Sequence, residues 1–370
     1  MGLEEQIEDI EREIAETPYN KASEQHIGRL KSRLAELRER LETRQTGDSG
    51  GEGYHVAKSG DATVAMVGFP SVGKSTLLNA VTNAESEVGA YDFTTLEVNP
   101  GMIEHRGAQI QLLDVPGLIQ GAAGGRGRGR EVLSMVRAAD LIMIVLDPFE
   151  IERYHDLIQE LRSNQIRIDV DPPRVSVTPK GKGGISVTTV SNFDLDEDTV
   201  AEVVREQGFV NADIHIAENL DIDRLIDGIM DNRVYIPSIT VVNKIDTVDD
   251  TSMRSVTSEL QEEGIDPDEV IFVSGEQDIG LEELKDRIWD KLSLRRIYMK
   301  KPGESPDFDE PLIVRDGTTI GDVLGRLGGD FEQRFRYARV TGPSASHDEQ
   351  RVGLDHHLAD EDILTLTLRR

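Results

Sequence analysis

Apolar residues follow three different rhythms along this chain. Within residues 1–45 they recur at helical spacing. Ile7, Ile10 and Ile14 form one stripe, and Leu30, Leu34, Leu37 and Leu41 form another, spaced 4, 3 and 4. Thr17-Pro18 separates the stripes, so the pattern predicts an antiparallel helical hairpin, followed by a Gly-rich linker at 46–53. From Asp61 onward, strand-length apolar runs alternate with helical patterns. The runs are 62–67, 110–113, 141–146, 239–242 and 270–273; one helix starts near Leu77 and another spans 281–294. That alternation predicts a parallel sheet covered by helices. Beyond Lys301-Pro302-Gly303 the rhythm changes again. Residues 311–318 read as a hairpin, 319–327 as a helix stopped by Gly328-Gly329, and 337–340 and 363–368 as strands. This ββαββ order predicts a ubiquitin-like β-grasp domain.

The apolar run 62–67 leads directly into Gly68, Phe69, Pro70, Ser71, Val72, Gly73, Lys74, Ser75 and Thr76, which match G-x-x-x-x-G-K-[ST]. Strand, Gly-rich loop and helix are the context this motif needs. Glycines let backbone N–H groups wrap a phosphate, and the helix N-terminus adds positive dipole. Lys74 supplies charge to the β- and γ-phosphates, and the Ser75 hydroxyl is a ligand for Mg²⁺.

Three later stretches complete the set. Asp114 and Gly117 stand at a strand's carboxyl end, where ligands bind in such sheets. Asp114 suits Mg²⁺, held through a water, and the Gly117 N–H suits the γ-phosphate. Thr95, 20 residues after Ser75 (95 − 75), is placed for a second Mg²⁺ hydroxyl, with Thr94 as its competitor. Asn243, Lys244 and Asp246 end the next strand but one. A carboxylate at Asp246 can accept two hydrogen bonds from guanine N1–H and the exocyclic amine, a pair adenine lacks; Lys244 packs along the base. Ser274, Gly275 and Glu276 support the base through backbone N–H groups. Together these motifs predict a Mg²⁺-dependent GTPase.

Asp114 and Asn243 lie 129 residues apart (243 − 114). Two strand–helix units need roughly 60 residues there, so about 70 are surplus. The surplus fits 163–233, which carries Pro172-Pro173, an alternating stretch at 185–190 and helical stretches at 197–207 and 221–231. The expected organisation is a hairpin and linker at 1–60 and a nucleotide-binding domain at 61–162 and 234–297. A small inserted α/β module occupies 163–233, and the β-grasp domain 298–370.

Composition alters this picture in two ways. The 370 residues include no cysteine, which excludes disulfides, zinc–thiolate sites and thiol nucleophiles and fits a reducing cytosol. The expected setting is soluble and cytoplasmic, since no basic-plus-apolar leader opens the chain and the apolar runs are too short to span a bilayer. Net charge is −29, with 70 acidic against 41 basic residues spread along the whole length. We read that acidity as adaptation to high salt in a halophile, where net charge is a weak guide to partners. Against this background Arg334, Arg336, Arg339 and Arg351 form a basic cluster in the β-grasp region, and Lys180 with Lys182 a smaller one in the insertion.

The assembled motifs resemble the Obg superfamily of GTPases, through Gly-Phe-Pro-Ser-Val-Gly-Lys-Ser-Thr at 68–76, Phe93-Thr-Thr-Leu96 and Asp114-Val-Pro-Gly-Leu118. Within it, the chain resembles the developmentally regulated GTP-binding protein (DRG) family. It does so through Thr17-Pro-Tyr-Asn-Lys-Ala22 with His26-Ile-Gly28, through Gly125-Arg-Gly-Arg-Gly-Arg130, and through Pro237 with Asn243-Lys-Ile-Asp246. The resemblance implies an α/β P-loop GTPase core with an inserted small domain, an N-terminal helical domain and a C-terminal β-grasp (TGS) domain. It adds Phe93 and Pro116 to the GTP contacts, with Lys74, Thr95 and Gly117 touching the transition state. It implies association with ribosomes or RNA, with a protein partner on the helical or TGS domain, and no membrane. Leu118 stands where many small GTPases carry a water-orienting Gln. Slow intrinsic turnover is therefore expected, raised by a partner or by K⁺. In related GTPases an Asn three residues before the loop Lys helps hold K⁺; here that residue is Ser71. The competing reading is an RNA or ribosome tether in which nucleotide is a structural ligand.

Overall fold

The computed structural model describes residues 2–46, 60–82, 99–115 and 128–369. Phe93, Thr94, Thr95, Pro116, Gly117 and Leu118, with Arg126 of the 121–130 segment, lie outside the described residues. The chain divides into two compact units.

The first unit joins the N-terminal helices to Val170–Tyr235. Helices Leu3–Glu16 and Glu24–Thr46 form the expected hairpin, with Glu13 meeting His26 at 3.0 Å and Glu11 meeting Arg38 at 2.6 Å. The insertion supplies a three-stranded sheet in which Ala212–Ile216 lies between Val175–Pro179 (antiparallel) and Ile185–Thr188 (parallel). Ala212, Ile214 and Ile216 are buried while Asp213 and His215 face out, the two-residue alternation of a half-covered strand. The covering layer is formed by helices Glu197–Glu206 and Ile222–Met230, the latter capped by Asp221, whose carboxylate accepts from the Arg224 amide at 2.8 Å.

The second N-terminal helix packs on this layer. A Cβ at Gly28 would come within 3.2 Å of Val203, so the two backbones meet where a side chain is missing. Ser32 is fully buried; its hydroxyl donates to the Val203 carbonyl at 3.0 Å and accepts from Gln207 Nε2 at 2.7 Å. Ile27, Leu30 and Leu37 fill the seam. The apolar stripe read from the sequence therefore covers the insertion, and the hairpin and the insertion form one body.

The second unit is built on six strands: β1 (Ala62–Val67), β2 (Asn99–His105), β3 (Ala108–Asp114), β4 (Leu141–Leu146), β5 (Ser238–Val242) and β6 (Ile271–Phe272). Their order is β6-β5-β4-β1-β3-β2, parallel except for β2. All six residues of β1, and all six of β4, are buried, as continuous apolar runs sheltered on both faces should be. β1 pairs with β3 on one side and β4 on the other, so its carboxyl end is the switch point at which such sheets bind ligands.

The helix expected over 281–294 ends earlier. It spans Leu281–Lys291, and Leu294–Met299 is strand β7. Ser293, at φ 53°, turns the chain in the left-handed region. A non-glycine residue carries no sequence signal for that conformation. The expected hairpin at 311–318 likewise contributes one strand, β8 (Leu312–Arg315), whose antiparallel partner is β7. With β9 (Phe335–Thr341), β10 (Gln350–Val352) and β11 (Asp362–Leu368) these make a sheet ordered β8-β7-β11-β9-β10. Helix Ile320–Leu327, opened by a Thr319/Asp322 capping box, packs Ile320, Val323 and Leu324 against it. Leu294 and Ile313 are buried in the same cluster as β1, and Arg315 pairs with Asp140 at 2.7 Å, so this domain is fused to the six-stranded core. Among the described residues no helix is long and apolar enough to cross a membrane.

Candidate functional site

The loop after β1 is shaped by its neighbours. Gly73 sits at φ 88°, and a Cβ there would lie 2.4 Å from Asn243 Nδ2. No other residue type tolerates both the backbone and the crowding. Helix Lys74–Val81 starts at the next residue and aims its N-terminus at the loop. Lys74 Nζ donates to the Gly68 carbonyl at 2.8 Å and to that of Phe69 at 3.0 Å. The Phe69 ring is covered by the Arg153 guanidinium at 4.4 Å, a contact that no motif announces.

Burial pushes the Lys74 ammonium below its ordinary range, and the Asp114 carboxylate partly opposes that shift. The folded chain thus disfavours the charged lysine below its lowered pKa, and the penalty fades as pH rises toward the unfolded value of about 10.4. A phosphate in the loop acts the other way, because it needs the charge. We expect affinity for a fluorescent guanine nucleotide to hold through neutral pH and then fall at a lower alkaline pH than a free lysine would dictate. The melting temperature of the nucleotide-free protein should gain from the same deprotonation. An affinity flat to the ordinary lysine range would contradict this expectation.

Ser75 and Asp114 meet across the end of β3: Ser75 Oγ donates to Asp114 Oδ2 at 2.5 Å. Asp114 is buried at 7% exposure, while Ser75 is exposed at the helix start. Two hard oxygen donors, one of them anionic, fit Mg²⁺, which keeps several waters and takes few protein ligands. Among the described residues no group of three His, Cys, Asp or Glu side chains converges to hold a metal. An ion at Ser75 and Asp114 would therefore complete its shell with water and phosphate oxygens.

Asn243, Lys244 and Asp246 follow β5 and divide their work. Asn243, 2% exposed, acts as an internal latch. Its Nδ2 donates to the Val72 carbonyl at 3.0 Å, and its Oδ1 accepts from the Gly275 amide at 3.1 Å. The Gly275 amide, expected to face the base, is thus directed at Asn243. Gly275 must be small: a Cβ there would lie 3.0 Å from Leu77 Cα. Lys244, at φ 63°, extends Nζ to the Ser71 carbonyl at 2.5 Å and to Asp147 Oδ2 at 2.9 Å. Asp246 remains exposed while Ser274 Oγ donates to its Oδ1 at 2.5 Å. The buried Ser274 hydroxyl also accepts from the Gln277 amide at 3.1 Å, which fixes its direction. One end of the site thus presents an oriented carboxylate and the other a cationic loop, the two requirements of a guanine nucleotide. Glu276 is exposed beyond Gly275.

Asp147 and Arg153 were missed by sequence reasoning. Both follow β4, and neither falls in a recognised spacing; the only cue was the charged Asp147-Pro-Phe-Glu150 after an apolar strand.

Three family models account for most of the chain. One described as a 50S ribosome-binding GTPase matches residues 63–178. A second, described as the C-terminal region of that domain, matches 182–294, and a TGS domain model matches 295–367. An uncharacterised GTP-binding protein of Halobacterium salinarum is 58% identical over the full length of both chains. Another from Methanocaldococcus jannaschii is 53% identical over all of this chain and 94% of its own. Human developmentally-regulated GTP-binding protein 2 is 42% identical over 99% of each.

Proposed function

The chain belongs to the developmentally regulated GTP-binding protein family, with a P-loop GTPase domain and a C-terminal TGS domain, and from that premise we propose that it is a slow, Mg²⁺-dependent GTPase. In this reading it switches in association with the ribosome or RNA in the cytoplasm of a salt-adapted cell. The observation that carries the reading is the Ser75–Asp114 pair set beside Lys74 at the head of the helix. A nucleotide tether has no need of a metal-binding pair at the γ-phosphate end.

The reaction is water attack on the γ-phosphorus, releasing GDP and inorganic phosphate. Lys74 binds the β- and γ-phosphates, Asn243 and Lys244 hold the loop beneath them, and Asp246 orients the base. When bound at Ser75 and Asp114, Mg²⁺ would supply charge neutralisation for the phosphates. Thr95 and Gly117 are assigned to the γ-phosphate side on motif grounds. The Leu118 side chain can neither donate nor accept a hydrogen bond, so intrinsic turnover is slow and a partner, or K⁺ as a stabilising cation, accelerates it. At position 71 a serine hydroxyl would be a weaker K⁺ ligand than the asparagine of related GTPases.

For an RNA partner the supporting surface is one face of the TGS sheet. Arg351 lies over the Tyr337 ring at 4.2 Å, with Arg336 and Arg339 at 5.9 and 6.0 Å. A hydrogen bond with Thr367, then the Arg339 and Arg336 charges, lower the Tyr337 phenol's pKa. Arg334 is spent elsewhere, on Asp330 and the Arg369 carbonyl, and Lys180 is paired with Asp213 at 2.6 Å. Arg339 is paired with Glu349 at 2.9 Å, so the cluster on this face is Arg336 and Arg351 beside that ion pair.

The deciding assay is single-turnover phosphate release in about 2–3 M KCl, where exposed charge is strongly screened, against equal NaCl, with and without ribosomes. Release stimulated by KCl or by ribosomes supports the switch; tight GTP binding with no release under any condition leaves the tether. The double substitution Arg336→Glu with Arg351→Glu should weaken binding of single-stranded RNA about tenfold or more and leave GTP affinity unchanged.

A further inference from the structure

Lys244 has the geometry of a clamp with two jaws. One is the Ser71 carbonyl in the phosphate loop, at 2.5 Å, and the other is the Asp147 carboxylate, at 2.9 Å. Asp147 sits directly after β4, beside the strand that delivers Lys244: Leu146 is in register with Val242, and the Asn243 amide donates to the Leu146 carbonyl at 3.0 Å. Its second oxygen, Oδ1, accepts from the Phe149 amide at 3.1 Å, which stops the carboxylate from turning away. Lysine is a point charge on a flexible stem and does not settle in one place unaided. The Ser71 carbonyl is a neutral acceptor on an exposed residue of the loop and brings no charge to hold it. A fixed anion on the far side of Nζ supplies what both lack.

We infer that Asp147 is a positioning residue for nucleotide binding: it pins Lys244 across the phosphate loop and thereby sets how long a guanine nucleotide stays bound. The inference rests on the GTP-binding reading of the site. Asp147 touches neither base nor phosphate in this account; it acts only through Lys244. The β4–β5 edge thus joins the two halves of the site, because one lysine reads both the loop backbone and the strand beside it.

The test is the dissociation rate of a fluorescent GDP from the full-length protein, compared for the wild type, Asp147→Asn, Lys244→Ala and the double variant. Asparagine keeps an acceptor for the Phe149 amide and removes only the charge facing Lys244. Asp147→Asn should speed dissociation about five- to tenfold, a modest effect because Lys244 is partly exposed. Once Lys244 is alanine, the second change should add nothing. A merely structural role would add in both backgrounds and would lower the melting point of the nucleotide-free protein. Unchanged dissociation in Asp147→Asn, or full additivity in the double variant, overturns the inference. A wild type that retains no guanine nucleotide overturns the underlying reading instead.

Discussion

Replacing Asp246 with asparagine should cut GTP affinity about a thousandfold and create affinity for xanthosine triphosphate. The carboxylate is exposed, and one of its oxygens is fixed by Ser274 at 2.5 Å, so its remaining acceptor capacity points at the base. Guanine offers two adjacent N–H groups to that acceptor pair. An asparagine turns one acceptor into a donor, which leaves the guanine amine facing an N–H. A site built around specific hydrogen bonds rejects a mismatched partner far more strongly than an apolar pocket does. Xanthine carries a carbonyl where guanine carries the amine, so it pairs with the variant. Equilibrium titration with GTP, ATP and XTP checks this. If the variant kept the wild-type order of affinities, Asp246 would not be the base reader.

The second large effect is expected at the other end of the site. Ser75→Ala should abolish the response of nucleotide affinity to Mg²⁺ and slow single-turnover hydrolysis by about a hundredfold. Among the described residues the hydroxyl meets the Asp114 carboxylate there, and Asp114 is buried beneath it. Binding measured in a chelator should be nearly unaffected, since Lys74 and the loop remain. Asp114→Ala should reproduce the loss of Mg²⁺ response. Equal stimulation by Mg²⁺ in both variants and the wild type would place the metal elsewhere.

Much of this arrangement was legible because its signals are local. Gly73, Lys74 and Ser75 declare a loop entering a helix, and β1 and β4 are apolar throughout because they are buried on both faces. The Asn243 segment was legible as a motif, though its inner division of labour was not: burial, which no spacing encodes, makes Asn243 the latch and leaves Asp246 open. Asp147 and Arg153 were invisible because their roles come from two strands lying side by side. The end of the helix at Lys291 was missed because Ser293 adopts a conformation usually marked by glycine. The stripe on the second N-terminal helix was plain, yet periodicity shows that a face is covered without naming what covers it.

That last feature bears on how the polypeptide acquires its shape during synthesis. Ser32 and the apolar stripe around it find much of their shelter on Glu197–Glu206 and its neighbours, roughly 160 residues downstream. At bacterial or eukaryotic elongation speeds the gap lasts about ten to thirty seconds. For that interval the nascent N-terminus carries an apolar stripe that lacks its cover from the insertion while the P-loop segment leaves the exit tunnel. A chain stalled or cleaved before the insertion is complete would hold that stripe open, making it a handle for holdase chaperones and a starting point for aggregation. Ribosome-bound chains arrested before and after the helices Glu197–Glu206 and Ile222–Met230 have cleared the exit tunnel should differ sharply in protease sensitivity within 24–46.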